Sequence, residues 1–356
     1  MKINCPTLLI DSKKVKRNIY RMQKKAERSG VIFRPHFKTH QSHFTGDIYR
    51  ESGIGQITVS SVTMANYFAG YGWNDITIAF PLNVLELEEI NELGGRIHLN
   101  VLVESTFVIE RLAQKTDASL GVFIKIDTGY HRTGLSSNQF DEIDNILSVV
   151  EASDLLHFKG FLTHAGNTYH ARSKAEVLEI MQQGAMQLKK LKMHYQLRFP
   201  GLILSYGDTP SCSMAERFPD FDEIRPGNFA YYDVMQYHLG SCRLEDVAAV
   251  VACPVVATHP ERSEMVVYGG AVHLSKEFIA ADNGVQLYGY LVRFDEHFHW
   301  GNPVAGAYVS SLSQEHGVIR LPEKELKVFH PGNLVGILPV HSCLTANLLK
   351  ENTVIM

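Results

Sequence analysis

The chain has 356 residues, 45% apolar and 20% charged, with a net charge of −4, the make-up of a soluble globular protein large enough for a barrel and a second domain. The slight acidity argues against a nucleic-acid partner, as does the lack of a basic cluster beyond Lys13-Lys14-Val15-Lys16-Arg17, and no apolar run reaches membrane-span length. Five scattered cysteines (Cys5, Cys212, Cys242, Cys253 and Cys343) form no disulfide framework, and the first residues lack the long apolar segment of a secretory signal, so the expected compartment is the reducing cytoplasm.

Short runs rich in Val, Ile, Leu and Phe read as strands buried on both faces: Thr7–Ile10, Val31–Phe33, Gln56–Ser60, Asp75–Phe80, Ile97–Val103, Gly121–Asp127, Phe158–His164, Leu202–Tyr206 and Phe221–Arg225. Helical patterns fall between most of them. Lys13–Arg28 spaces Val15, Ile19, Met22 and Ala26 by about one turn, and Ala171–Tyr195 repeats Val177, Ile180, Met181, Met186, Leu188 and Leu191. Asp11 and the pair Ser136-Ser137 stand where N-caps belong, and Gly30 where a helix-ending glycine belongs.

Strand–helix units spaced by roughly 20–45 residues predict a (β/α)8 TIM-type barrel rather than a doubly wound sheet. No Gly-x-Gly-x-x-Gly follows the first strand, which weakens a dinucleotide fold further. After about Gly240 the helical period nearly vanishes. Val247–Thr258, Glu264–Tyr268, Gln286–Phe294, Ala307–Ser313, Gly317–Leu321 and Val335–Val340 read as strands between Gly, Pro, Asn and Asp turns. The expected organisation is an α/β barrel over residues 8–240 and a mostly β domain over 241–356, which residues 1–7 join.

Barrels of this kind place their sites at the C-terminal ends of the strands, where the unusual residues of the first domain recur. Lys38, in Arg34-Pro35-His36-Phe37-Lys38-Thr39-His40, follows Val31–Phe33 and stands where a lysine can form a Schiff base with a carbonyl cofactor, although a solvated loop lysine is the commoner outcome for such a residue alone. Asp127–Gly134, Thr163–Tyr169, Tyr206–Pro210 and Arg225–Asn228 follow four further strands. Gly207-Asp208-Thr209 and Gly227-Asn228 suit a phosphate, because glycine lets backbone N–H groups approach an anion while a hydroxyl or amide adds a donor; as isolated segments they read equally well as tight turns. His341 and Cys343, two residues apart after the apolar run Leu334–Val340, share one face of an extended chain. An imidazole and a thiolate so placed can bind Zn²⁺ at about 2.0–2.3 Å, although spacing alone favours a buried cysteine beside a satisfied histidine.

Arg34-Pro35-His36-x-Lys38-Thr39-His40 and Asp127-Thr128-Gly129-x-x-Arg132-x-Gly134 together resemble the D-threonine aldolase and D-serine dehydratase-like enzymes, members of the alanine-racemase-like class of pyridoxal-phosphate (PLP) enzymes. The resemblance spans essentially the whole chain. It implies a PLP-binding barrel followed by a β domain, with Lys38 as the lysine that carries the cofactor. It implies His164 near the cofactor ring, Tyr169 or Arg132 near the pyridine nitrogen, and the Gly207–Thr209 and Gly227–Asn228 loops on the phosphate. It also makes His341 and Cys343 a metal pair, for Zn²⁺ rather than Mn²⁺ or Mg²⁺ because a thiolate is soft, with Glu315 and His316 as groups behind it. One departure is visible: the motif often continues Lys-Thr-His-Lys, and Gln41 stands in the last position.

The activity so implied is a lyase acting on small D-3-hydroxy amino acids of the D-serine, D-threonine or D-3-hydroxyaspartate type. Dehydration is preferred to aldol cleavage, because aldolase members tend towards a carboxylate where Cys343 stands. Aldol cleavage to glycine and an aldehyde is the first alternative. An amino-acid racemase is the second, with Tyr268, Tyr288, Tyr290 and Tyr308 as candidate second bases. A PLP carrier protein, which would resemble the barrel alone, leaves the β domain unexplained. The family also implies a homodimer.

Overall fold

The structure is a computed structural model that describes residues 2–280 and 284–356; residue 1 of the N-terminal segment lies outside the described residues. Two compact units form. One comprises Tyr20–Lys38 and Tyr49–Gly227; the other comprises the N-terminal residues through Ile19, Thr39–Ile48 and Asn228–Met356.

The first unit holds eight parallel strands, in spatial order Ile32–Phe33, Glu223–Ile224, Ile203–Tyr206, Leu156–Thr163, Leu120–Asp127, His98–Val103, Asp75–Pro81 and Ile57–Val59. The two ends of this sheet meet through a parallel bridge between His36 and Thr58, with Phe37 N donating to Thr58 O at 2.8 Å and Thr58 N to Pro35 O at 2.9 Å. The ring is therefore closed, as a TIM-like barrel requires. Leu102, Phe123 and Leu162 from three neighbouring strands pack together with Ala79 and Ile203 against them. Backbones also approach closely here: a Cβ on Gly160 would lie 1.9 Å from Ile203 O, and its φ of +141° suits glycine alone.

The longest helix, Lys174–Tyr195, buries Val177, Met181, Ala185, Leu188 and Leu191 and is capped by Ser173, whose side chain accepts from Glu176 N at 3.1 Å. It begins three residues later than the apolar period suggests, because Gly166–His170 forms a 3-10 turn. Asp11 caps the first helix, Ser12–Ser29, by accepting from Lys13 N and Lys14 N, and Gly30 ends it with φ +66°. Ser136-Ser137 do not cap a helix: Leu135–Ser136 is a short strand paired with Ile126–Asp127, and the helix starts at Phe140.

The second unit is built on an antiparallel sheet. Glu264–Tyr268, His316–Arg320, Tyr308–Leu312, Gly289–Val292, Leu334–Pro339 and Ala249–His259 follow one another, and the last pairs back to the first to close a six-stranded ring. Thr7–Ile10 pairs antiparallel with Ala249–His259 and parallel with Thr353–Ile355. This corrects the expected boundary, which gave residues 8–10 to the barrel. A four-residue apolar run buried on both faces carries no mark of which sheet it will join. Residues 228–240 and 39–48, also expected within the barrel, pack in this unit too. No helix among the described residues is long and apolar enough to cross a membrane.

Candidate active site

In the barrel unit, Lys38 lies two residues beyond His36 of the closing bridge, its backbone N–H donating to His36 Nδ1 at 3.3 Å. The neighbouring Arg34 has a structural task. Its guanidinium is buried, donates to Glu223 Oε2 at 2.6 Å and pairs with Asp75 through both of its terminal nitrogens. Glu223 Oε1 accepts from Ser205 Oγ, which accepts in turn from Arg225 Nε at 2.6 Å. Arg225 reaches on to the Thr163 carbonyl. Five barrel strands are thus tied together by charged hydrogen bonds.

His164 follows Thr163 directly. Its Nδ1 donates to Gly207 O at 2.7 Å; a carbonyl only accepts, so the proton sits on Nδ1. Burial holds the imidazole well below its ordinary pKa, and the positive charges of Lys38 and Lys125 push the same way, so the ring is neutral. Tyr130 meets it edge-on at 5.9 Å. Gly166 makes room for that tyrosine, since a Cβ there would sit 2.4 Å from the Tyr130 ring. Arg132 stacks over the Tyr130 ring at 4.9 Å, and its charge also bears on His164 and Lys125. The loop is held by Asp127, which accepts from the backbone of Gly129, Tyr130 and His131 and from His131 Nδ1 at 2.9 Å.

The hydroxyl of Tyr169, which with Arg132 is one of the two groups expected near a pyridine nitrogen, accepts from Thr209 N at 3.5 Å, at the start of the helix Thr209–Met214. Asp208 caps that helix, accepting from Ser211 N at 2.6 Å and Thr168 Oγ1 at 3.1 Å, and burial raises its carboxyl pKa to about 6. Its side chain therefore serves the loop rather than an anion. Thr209 Oγ1, by contrast, is buried with no hydrogen-bond partner, and Gly207 lets the loop run against Arg225, where a Cβ would be 2.9 Å from the carbonyl. An orphaned hydroxyl, a rim lysine and a neutral imidazole beside the charges of Lys38, Arg132 and Lys125 fit a phosphorylated aldehyde.

Lys125 is the barrel residue that sequence reading passed over. It is buried within Leu120–Asp127, and burial, then Arg225 and Arg132, lower its pKa to about 7. The available signal was a lysine in the apolar run Gly121–Asp127.

In the other unit, His341 stands at the N-cap of the helix Ser342–Leu348, with φ −132° and ψ 96°, and Cys343 lies in its first turn. The pair meets at a strand-to-helix turn, not along an extended chain as the spacing suggested. Burial disfavours the His341 cation, but the Cys343 sulfur, Asp233 and Glu277 outweigh this and push its pKa up to about 9. Its Nδ1 is buried with no hydrogen-bond partner. Cys343 Sγ lies 3.2 Å from Thr39 Oγ1 and 3.4 Å from Asn228 Nδ2. The Asn228 amide also donates to Asp233 Oδ2 at 2.6 Å.

Glu315 faces His273 at 3.7 Å, and His316 sits exposed in its strand opposite Tyr268. Neither takes the place behind His341 expected of it. No cluster of three or more His, Cys, Asp or Glu suited to a metal occurs among the described residues. A buried imidazole nitrogen without a partner beside a thiol fits a soft divalent cation held by two side chains.

Two family models match the chain: "Alanine racemase, N-terminal domain" over residues 10–234 and "Putative serine dehydratase domain" over residues 248–355. The D-serine dehydratase of Dictyostelium discoideum is 28% identical, covering 99% of this chain and 93% of that protein. A D-threonine aldolase of Arthrobacter sp is 24% identical, covering 98% and 88%. The solved structure of D-threo-3-hydroxyaspartate dehydratase from Delftia sp. HT23 superposes with a TM-score of 0.87 at 25% identity, covering 98% of this chain and 93% of that one.

Proposed function

The chain belongs to the alanine-racemase-like family of PLP enzymes, with a serine dehydratase-type domain after the barrel, and from this premise we propose that it is a PLP- and metal-dependent lyase that dehydrates small D-3-hydroxy amino acids. The observation that carries the choice of dehydration is the His341–Cys343 pair, whose thiol suits a soft cation, as in the dehydratase-type members, where aldolase members tend towards a carboxylate.

PLP supplies an electron sink for charge at the substrate Cα, and the metal supplies Lewis acidity towards a hydroxyl. Lys38 would anchor the cofactor and is the group that would accept the Cα proton. His164, neutral and fixed by Gly207, would present its ring to the cofactor without adding charge. The unpartnered Thr209 hydroxyl would hold the phosphate, while Arg132 and Lys125 set a positive field for an anionic ligand. His341 and Cys343 hold the metal. Loss of the Cα proton and the β-hydroxyl, followed by hydrolysis, gives a keto acid and ammonia.

The test is incubation of the purified protein with D-serine, D-threonine, D-3-hydroxyaspartate and D-alanine, with and without chelator. Keto acid and ammonia should form from the hydroxy amino acids, fall on chelation and return with Zn²⁺. Release of glycine and an aldehyde would replace dehydration by aldol cleavage. Metal-independent racemisation of alanine without lyase activity would overturn the lyase reading. Tyr290, one candidate second base for a racemase, shares its hydroxyl with His238 Nε2 at 2.8 Å.

A further inference from the structure

Behind the His341–Cys343 pair lies a buried polar assembly that does more than cap a helix. Asp233 uses Oδ1 to cap the short helix Val234–His238, accepting from Gln236 N at 2.9 Å. Its other oxygen takes three contacts: Asn228 Nδ2 at 2.6 Å, Ser342 N at 3.0 Å and Ser342 Oγ at 3.3 Å. Asn228 Nδ2 reaches Ser342 Oγ at 3.1 Å and Cys343 Sγ at 3.4 Å besides. Thr39 Oγ1 is 3.2 Å from the same sulfur. All four supporting residues are buried: Thr39 is 0% exposed, Asp233 1%, Ser342 1% and Asn228 5%.

The orientation of Asn228 is set by chemistry. A carboxylate only accepts, so the amide nitrogen must face Asp233. That orientation leaves Asn228 Oδ1 buried without a partner, an unfavourable arrangement that the Nδ2 contacts must offset. Asp233 grips the backbone of Ser342, the residue between the two candidate ligands, and turns Asn228 so that its second N–H is shared between Ser342 Oγ and the Cys343 sulfur. These contacts fix where the sulfur sits relative to the turn.

Resting on the metal reading above, we propose that Asn228 and Asp233 are positioning residues for the His341–Cys343 pair. They fix the turn that carries it and hold the Cys343 sulfur ready for a soft divalent cation before that cation arrives. Thr39 completes the cradle from the opposite sequence end. Partners behind a ligand commonly govern both affinity and geometry at such sites.

The experiment measures Zn²⁺ affinity of the PLP-loaded protein by competition with a chromogenic chelator, and the near-ultraviolet sulfur-to-cobalt charge-transfer band after Co²⁺ substitution. The variants are Asn228→Ala, Asp233→Asn, Thr39→Val and Cys343→Ser. Asp233→Asn keeps an oxygen for the Gln236 cap but cannot hold Asn228 as a carboxylate does. Asn228→Ala and Asp233→Asn should weaken Zn²⁺ binding by roughly 10–100-fold and diminish or shift the cobalt band, with circular dichroism and cofactor absorbance unchanged. Affinities within about twofold of wild type and an unaltered band would overturn the positioning role and leave the metal reading standing. No Zn²⁺ uptake by wild type, or undiminished uptake by Cys343→Ser, would overturn both. Should Asp233→Asn fail to fold, Asn228→Ala and Thr39→Val decide the matter by the same two readouts.

Discussion

The hydrogen bond from His164 Nδ1 to the Gly207 carbonyl, 2.7 Å long, joins the end of one barrel strand to the loop beyond its neighbour. It fixes the imidazole's tautomer and plane. Burial and the charges of Lys38 and Lys125, which outweigh the pull of this hydrogen bond towards the cation, leave the histidine adding shape and no charge to the site. A neutral ring among cations is what a phosphorylated aromatic cofactor would meet on entering.

Lys38→Ala should abolish the visible absorbance that marks a lysine-bound cofactor and lower lyase activity by at least about a thousandfold, since both covalent anchor and proton acceptor are lost. Absorbance spectra and a keto-acid assay check this. An unchanged spectrum would remove Lys38 from its role.

Arg34 should matter for stability rather than turnover. Arg34→Ala leaves the fully buried Glu223 without its closest cation, and breaking a buried pair on one side costs about 3–5 kcal/mol. Denaturant unfolding should show this loss. Arg34→Lys should recover only part of it, because an ammonium cannot serve Glu223 and both Asp75 oxygens at once.

Cofactor retention should depend on pH through Lys125. Its pKa is lowered to about 7, so it is charged below that value and neutral above it. A cation favours an anionic ligand, and PLP affinity of the stripped protein should therefore weaken as pH rises through about 7. Titration of the apoprotein with PLP between about pH 7 and 8.5 should show the fall in wild type, and Lys125→Met should lack that component.

His40 is buried neutral, with its pKa pushed down to about 3 by burial. Between that value and about 6.5 the unfolded chain takes up a proton that the folded chain refuses, so this contribution to stability is intact above about pH 6.5 and is lost as pH falls. Relative to His40→Gln, wild type should lose about 1.4 kcal/mol per pH unit from about pH 6.5 to 4.5. Asp208, with its pKa raised to about 6, acts in the opposite sense, which makes the difference between the two proteins the informative quantity. Urea unfolding across that range measures it.

Much of the barrel rim was legible in the chain. Lys38, His164 and Thr209 follow apolar runs that become parallel strands, and strand ends are where such barrels place chemistry. Lys125 was legible in principle, as a charge inside the apolar run Gly121–Asp127. The partners of Asn228, Asp208 and Tyr169 were not. Each depends on a rotamer and on neighbours distant in the sequence, such as Ser342 and Cys343 for Asn228.

The amino-acid sequence by itself determined the periods: short apolar runs alternating with helical stripes, then strands with turns, and with them the two kinds of sheet. It also placed a lysine, a histidine and a His-x-Cys pair at run ends. Only the tertiary structure decided that Thr7–Ile10 joins the antiparallel sheet, that Asp208 caps a helix, and that Asn228 turns its amide to the Cys343 sulfur. The reason is physical. A period is set by local backbone geometry and survives in any window of sequence. A side chain's partner is set by whichever buried donors and acceptors the closed chain brings within about 3 Å of it.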